Sequence, residues 1–258
     1  MLFRSALLAA EADRTACVIL EPRVQGAAGM VQQPPGFVAA VAERCRRAGV
    51  HLILDEVFTA FGRLGALTAS SIEGVTPDFL CLAKGLSGGY LPLAATLTSE
   101  TIHDAFLGNF SEQRAFYHGH TFSGNPLACA VARASLAKLR PLLASGRVAE
   151  AIATLGNELE SHFANHPNVA QVRQLGLTGA IDLVPRDRNR RWPVDLRVGF
   201  QVALAARKHG LIIRPLGDSI LIVPPIVATP DDVRHLARAL HAALDDVLPG
   251  LESAAVPR

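Results

Sequence analysis

Cysteine, net charge and long apolar runs are all scarce in this chain of 258 residues. Its four cysteines form no CxxC pair and each lies in an apolar context: Cys17, Cys45, Cys81 and Cys129. This spacing excludes the usual zinc and disulfide patterns, so we predict buried, reduced thiols and no metal site. The 25 basic and 23 acidic residues nearly cancel, which excludes a global field that would gather nucleic acid or an anionic membrane.

No uncharged apolar run reaches the roughly 20 residues that a helix needs to cross a bilayer. The N-terminal residues lack a convincing small-residue cleavage site, so we expect a cytoplasmic protein. What the sequence does have is 50% hydrophobic and only 19% charged residues. This composition excludes a disordered chain and predicts a folded protein with a substantial core.

Strand-like and helix-like segments alternate through the first half of the chain. Apolar runs predict buried strands over 17–20, 51–54 and 78–82, and helical spacing predicts a helix over 37–47. This alternation is typical of an α/β fold with a mainly parallel sheet. We therefore predict one domain over residues 1–140.

The pattern changes after residue 140, and we predict a smaller α+β domain over 141–258. Helices are predicted over 148–165 and 198–208, with two short strands within 169–184. A hairpin is predicted with residues 214–218 as its connection. Thr229, followed by a proline and two acidic residues, predicts the start of the last helix.

Ionisable side chains follow each predicted strand of the first domain. Glu21 follows the first strand, Asp55 the second and Lys84 the third. Parallel sheets of α/β proteins bind ligands at the carboxyl ends of their strands, so we expect these groups at one edge. A lysine directly after an apolar strand and before a glycine loop is suited to attack a carbonyl if it is partly buried, because burial lowers the pKa of the amine. A strand-edge lysine that reaches solvent is the alternative interpretation.

An acid for a ring nitrogen and an amine for an aldehyde are the two needs of pyridoxal phosphate chemistry. Asp55 and Lys84 are about one strand-helix-strand step apart and could supply both groups. A strand that ends in Asp-Glu also fits a phosphate-loop NTPase. That class requires GxxxxGK[ST], which no stretch of this sequence supplies.

Five ordered segments of the chain together resemble one enzyme family, the class III aminotransferases. The segments are EPRVQG at 21–26, LILDEV at 52–57, FGRLG at 61–65, AKGLSGG at 83–89 and HGHTFSGNPLA at 118–128. The resemblance covers nearly the whole chain and implies the fold-type I architecture of transferases that use pyridoxal phosphate.

The resemblance also implies roles for individual residues and small-molecule substrates. The aspartate that matches Asp55 pairs with the pyridine nitrogen, and the lysine that matches Lys84 holds the cofactor covalently and moves the α-proton. The threonine that matches Thr121 reaches the cofactor phosphate across a homodimer interface, although an ordinary helix cap is the alternative reading. The remaining implied contacts are His120 with the cofactor, and Gly119 and Glu21 with the substrate.

The C-terminal half is most similar to one subgroup of the family, the 7,8-diaminopelargonate synthases of biotin biosynthesis. The similarity lies in GLIIRPLGD at 210–218 and the VPP that follows it. It implies that Arg214 binds the substrate carboxylate and that S-adenosylmethionine donates an amino group to 8-amino-7-oxononanoate. A surface ion pair for Arg214, and another class III enzyme with a different substrate, remain open.

The long N-terminal region of class III enzymes has no counterpart in this sequence. In the family that region carries the phosphate-binding glycine-serine segment and a ring-stacking aromatic residue. The chain is thus expected to be a partial gene, one half of a split enzyme with a separate N-terminal chain, or a remnant without catalysis. Two positions also depart from the subgroup: His120 stands where proline is frequent, and Ile226 where an aromatic residue is frequent.

Overall fold

The structure is a computed structural model that describes residues 10–257. It divides into two compact units. Among the described residues, the first unit comprises 10–24, Gln33–Gly62 and Ala66–Pro141. The second unit comprises Gln25–Gln32, Arg63–Gly65 and 142–257. Each unit therefore contains more than one stretch of the chain.

A four-stranded sheet forms the centre of the first unit, with the order β1-β4-β5-β6. Its strands are β1 (Cys17–Leu20), β4 (His51–Asp55), β5 (Phe79–Leu82) and β6 (Ala95–Thr98). β1, β4 and β5 run parallel, and β6 pairs antiparallel with β5. The three strands that the sequence predicts are thus present as neighbours in one mainly parallel sheet.

Helices of the described chain that accompany this sheet are α1 (Phe37–Ala48), α2 (Ala69–Ile72), α3 (Glu100–Asp104) and α4 (Pro126–Ala144), of which α4 begins in the first unit. α1 ends at Gly49, whose φ of +66° suits a residue without a Cβ atom. The buried side chains Val38 and Cys45 of α1 pack with Leu52 and Leu54 of β4. This small core holds β4 in place, and β4 carries Asp55 at its end.

The prediction that β1 is a buried strand is wrong. Its residues alternate between exposed and half-buried, and Ile19 is 62% exposed. β1 is the edge strand of the four-stranded sheet, with β4 as its neighbour. The prediction of buried thiols holds for Cys45 and fails for Cys17 and Cys129, which are exposed.

The second unit contains an antiparallel sheet with the order β10-β11-β8-β7. Its strands are β7 (Val169–Gln174), β8 (Gly179–Leu183), β10 (Arg214–Leu216) and β11 (Ser219–Ile222). Its helices are α5 (Arg147–Phe163), α6 (Val198–Ala206) and α7 (Pro230–Leu251), and Thr229 caps α7 as predicted. One apolar core joins these helices and strands, with Leu155, Ile181 and Leu240 among its fully buried members.

The connection of the hairpin in the second unit is shorter than the sequence predicts. Leu216 pairs with Ser219, so only Gly217 and Asp218 form the connection. Arg214 is therefore the first residue of β10, paired with Leu221, and not part of the loop. A Gly-Asp pair suits a two-residue turn because glycine accepts the left-handed φ of +59° found at Gly217.

Two short stretches from earlier in the chain complete the second unit. Arg63 is half-buried and donates hydrogen bonds to the carbonyl oxygens of Leu177 at 2.8 Å and Pro224 at 2.7 Å. Arg173 donates to the carbonyl oxygen of Gly29 at 3.0 Å. Burial lowers the pKa of the Arg63 guanidinium to about 10, so the side chain stays charged at neutral pH.

Asp182 is a half-buried carboxylate in β8. Desolvation favours its protonated form, but hydrogen bonds from Arg173 and Ser219 outweigh this and lower the pKa of the carboxyl. A lowered pKa means that Asp182 stabilises the unit above the unfolded value of about 3.9, and that this contribution disappears as pH falls through the folded value.

We expect Asp182→Asn to lower the unfolding temperature at pH 7. Between pH 5 and 3, the unfolding temperature of this variant should fall less than that of the wild type. Circular dichroism melts across that pH range measure both effects. Asp195→Asn, at an exposed position, is the control and should follow the wild type. An unchanged pH dependence in Asp182→Asn would show that this carboxylate does not link protons to folding.

Two further pairs of short strands are β2 (Val24–Gln25) with β3 (Val31–Gln32), and β9 (Arg190–Arg191) with β12 (Val256–Pro257). Across residues 10–257, no helix combines the length and apolar character needed to span a membrane.

Candidate active site

The candidate site lies at the carboxyl ends of β1, β4 and β5. Leu20 pairs with Leu54, so Glu21 and Asp55 come next on neighbouring parallel strands. Asp55 pairs with Cys81 of β5, and Lys84 follows three residues later at the same edge. The structure thus brings these strand-end residues of the predicted site to one edge of the first unit.

Lys84 begins a short 3₁₀ turn, Lys84–Ser87, directly after β5. Its backbone has a φ of +45°, an uncommon value for a residue with a side chain and one that clusters at functional sites. The Lys84 Nζ lies 5.6 Å from the centre of the Phe58 ring. Lys84 is exposed, which agrees with the interpretation of a strand-edge lysine that reaches solvent and not with partial burial.

Gly85 explains how the turn after Lys84 packs so closely. A Cβ atom at this position would come within 2.9 Å of the Phe61 Cβ, which is closer than real carbon atoms approach. The turn after β5 therefore packs against the turn after β4, since Phe61 follows Asp55 in that turn. Any side chain at position 85 would push Lys84 away from this position.

Asp55 is half-buried, and its Oδ1 accepts a hydrogen bond of 3.0 Å from the backbone N–H of Val57. This bond fixes the side chain in a turn of its own backbone. One oxygen of the carboxylate is thus held by the protein, and the carboxylate is a charge-bearing acceptor at the strand edge.

Glu56, the neighbouring acid, has a different role from Asp55. It is completely buried and accepts hydrogen bonds from the backbone N–H groups of Ala69 at 2.5 Å and Ser70 at 2.7 Å. A third bond comes from the Thr59 hydroxyl at 3.3 Å. Glu56 therefore joins the turn after β4 to the beginning of α2.

We expect Glu56→Gln to destabilise the protein by about 2 kcal/mol. The glutamine amide lacks the negative charge that strengthens these hydrogen bonds. Its NH₂ group would also face the backbone N–H or hydroxyl donors that now bind a carboxylate oxygen. Denaturant unfolding measures the change. Glu100→Gln, at an exposed residue of α3, is the control and should change stability by less than about 0.5 kcal/mol. Equal stability of the two variants would show that the buried carboxylate is dispensable.

The glycine-histidine segment before α4 is exposed throughout, including Gly119, His120 and Thr121. His120 Nδ1 accepts a 3.3 Å hydrogen bond from the Phe122 N–H, which shapes the turn. Within the described part of the chain, no hydrogen bond joins Thr121 to Asp55 or Lys84. Arg214 belongs to the second unit, where it is exposed and forms no ion pair with any described residue.

Comparison with known proteins gives this arrangement its context. The model of the class-III aminotransferase family matches residues 3–244. The chain belongs to that family. A relative from Geobacter sulfurreducens, an adenosylmethionine-8-amino-7-oxononanoate aminotransferase, is 43% identical over 246 residues. This match covers 95% of the present chain and 54% of the relative.

A relative with the same description from Aquifex aeolicus is 42% identical over 231 residues, which are 89% of this chain and 51% of the relative. The chain thus spans about half the length of the curated relatives it matches. The crystal structure of the corresponding aminotransferase from Methanocaldococcus jannaschii superposes with a TM-score of 0.88 at 36% identity. This superposition covers 94% of the present chain and 56% of that structure.

An amine transaminase from an uncultivated Pseudomonas species, in a PLP-bound form, superposes with a TM-score of 0.86 at 37% identity. This superposition covers 95% of the present chain and 55% of that structure. The predicted fold-type I class, with a mainly parallel sheet and a C-terminal α+β region, is confirmed by these likenesses. The family predicted from the five sequence segments is confirmed as well.

The sequence interpretation missed two aromatic residues of the candidate site. Phe58 faces the amine of Lys84, and Phe61 packs on Gly85. Both residues lie in the turn after Asp55, three and six residues beyond it. Two aromatic residues shortly after a strand-end acid are the sequence signal that could have identified them.

Proposed function

We propose that this chain provides catalytic residues of a class III aminotransferase that uses pyridoxal 5'-phosphate. The observation that supports this most is the position of Asp55 and Lys84 at the ends of two neighbouring parallel strands. A carboxylate and an amine at one edge fit the ring nitrogen and the aldehyde carbon of that cofactor. Pyridoxal phosphate, when bound, supplies an electron sink for the substrate α-carbon.

Each of the two residues then has a defined task. The Asp55 carboxylate holds a proton at the pyridine nitrogen, and its bond to the Val57 N–H keeps it oriented. Lys84 would hold the cofactor at its aldehyde carbon. Once the substrate amine has displaced it, the free Lys84 amine would take the proton from the substrate α-carbon and deliver it to the former aldehyde carbon. The short turn after β5, fixed by the contact of Gly85 with Phe61, keeps the amine at the sheet edge.

We assign the remaining predicted contacts on the resemblance alone. Thr121 and His120 bind the cofactor, with Thr121 reaching the phosphate bound by the second subunit of a homodimer. Glu21, Gly119 and Arg214 bind the substrate. Arg214 is exposed and has no ion partner among residues 10–257, which suits a carboxylate ligand. A domain boundary near residue 140 and a cytosolic location are proposals of the same kind.

For the substrates, the description shared by the relatives points to one reaction. We propose that 8-amino-7-oxononanoate accepts the amino group and that S-adenosylmethionine donates it, as a step in biotin biosynthesis. Another class III aminotransferase activity is the second candidate. It is favoured by the likeness to the amine transaminase at 37% identity, a value similar to the 36% of the M. jannaschii enzyme.

An assay of the purified protein tests the proposal. The protein is incubated with pyridoxal phosphate and 8-amino-7-oxononanoate, with S-adenosylmethionine as donor, and compared with simple keto acids as acceptors. Formation of the diamine supports the biotin-pathway reaction, and turnover of simple keto acids alone supports the second candidate. A chain that binds no cofactor, alone or with an added N-terminal chain, would be a remnant, and the proposal would be wrong.

A further inference from the structure

A cluster of histidines and an aspartate joins α5 and α7 in the second unit, remote in sequence from Asp55 and Lys84. His166 follows the end of α5, while His241 and Asp245 lie one turn apart on α7. One donor atom from each of the three side chains lies within 4.8 Å of the other two. Two imidazoles and one carboxylate are a ligand set that zinc prefers in proteins.

We propose that His166, His241 and Asp245 bind a divalent metal ion of the zinc class. The His241 Nδ1 lies 3.1 Å from Asp245 Oδ2, and the His166 Nε2 lies 3.9 Å from Asp245 Oδ1. Donors around a tetrahedral zinc ion are about 3.3 Å apart, since each lies about 2.0–2.1 Å from the metal. Small side-chain rotations therefore bring all three donors into one coordination sphere.

The surroundings of the cluster favour binding over a simple surface contact. The His166 side chain is only 8% exposed, whereas the Asp245 side chain is 61% exposed. The site is thus anchored inside and open to solvent on one side, where water can occupy the remaining coordination position. His241 is packed among the rings of His162, Phe163 and His166, with centroids 5.4–6.1 Å apart, which limits its rotamers.

One hydrogen bond of the His166 ring opposes metal binding. The His166 Nδ1 accepts a hydrogen bond of 3.2 Å from the Asn168 N–H, which places the ring proton on Nε2. A metal ion at Nε2 moves that proton to Nδ1 and breaks the bond to Asn168, so this bond lowers the affinity for the metal.

The second acid-histidine group of the described chain, Glu100, His103 and Asp104, lacks these features. All three residues are exposed and lie within or beside a single turn of helix. It offers no buried anchor, and we assign no ion to it.

The experiment uses the full chain, carried on a tag without histidines and freed of metal by chelation. Zinc is titrated by calorimetry at pH 7, and cobalt is added as a spectroscopic probe. We expect one ion per chain, a cobalt spectrum of nitrogen and oxygen ligands, and a melting temperature several degrees higher with zinc. His166→Ala should lower the affinity by more than the roughly 10–100-fold that loss of an outer partner costs.

Asp245→Asn tests the same site with little risk to folding, because the side chain is largely exposed. It should also remove the stabilisation by zinc. His209→Ala is the matched control: His209 pairs with Asp246 of α7 at 2.8 Å, outside the cluster, and the variant should bind zinc like the wild type.

Three results would overturn the proposal. These are the absence of saturable binding at 1:1 stoichiometry, equal binding by wild type and Asp245→Asn, and a thiolate band in the cobalt spectrum. The last result would place the ion on an exposed cysteine such as Cys17 or Cys129.

Discussion

Replacement of Lys84 by alanine should abolish transamination in any active form of this protein. Lys84 is the only lysine at the strand edge that also carries Asp55, and no other amine of the described first unit follows a strand of that sheet. General acid-base catalysis alone contributes about 10²–10⁴-fold, and loss of the covalent attachment adds to that. We therefore expect activity to fall by at least about 10³-fold in a standard turnover assay.

The sequence makes this prediction easy to check because it contains three lysines, Lys84, Lys138 and Lys208. Borohydride reduction of the protein with pyridoxal phosphate, followed by peptide mass analysis, should label the peptide with Lys84 and leave the other two unlabelled. Lys138→Ala, at an exposed position of α4, is the matched control and should keep both label and activity. Label on another lysine, or normal turnover by Lys84→Ala, would refute the assignment.

Asp55→Asn should produce the second-largest loss of activity while leaving the local fold intact. Asparagine keeps an oxygen that can accept the hydrogen bond from the Val57 N–H, but it removes the negative charge. Loss of one partner from a hydrogen-bonded charge pair costs about 2–5 kcal/mol. This corresponds to a fall in turnover of roughly 30–5,000-fold.

Two companion variants separate charge from structure at this position. Asp55→Ala removes both the charge and the acceptor, so it should lose stability as well as activity, whereas Asp55→Asn should unfold like the wild type. Asp78→Asn, at the opposite end of β5, changes an acid of the same unit away from the site edge and should keep turnover. Activity of Asp55→Asn within about threefold of the wild type would exclude Asp55 as the ring-nitrogen partner, since a loss of at least about 2 kcal/mol is expected.

The strand ends were predictable because each consists of an apolar run that stops at an ionisable residue. In a parallel sheet this pattern decides both the fold class and the edge where Asp55 and Lys84 meet. The first half of the chain therefore indicates the three parallel strands and the two main candidate residues from its sequence, whereas the antiparallel strand β6 was not predicted.

Exposure was harder to predict than topology. An apolar strand has the same pattern whether it lies at the centre or at the edge of a sheet, so the exposure of β1 and of Cys17 could not be foreseen. The hairpin connection has two residues where five were predicted, because Gly217 and Asp218 suffice for the turn. Arg214 is therefore part of strand β10.

Local backbone and neighbour effects were also beyond the pattern of residue types. Nothing in the sequence indicates that Lys84 adopts a positive φ, or that Phe58 lies over its amine. The separation of Asp55 from Glu56 depends on where the beginning of α2 lies, which is a tertiary property. Chemistry at the site could be predicted by residue type, while its orientation required the fold.

The discontinuous composition of the second unit limits how this protein can be divided by genetic means. A product that starts at residue 142 would lack Arg63 and Gly29, and with them the donor to the Leu177 and Pro224 carbonyls and the acceptor for Arg173. Neither unit is a module that recombination could transplant with a single cut. A graft of the C-terminal half onto another scaffold would have to carry 25–32 and 63–65 along with it.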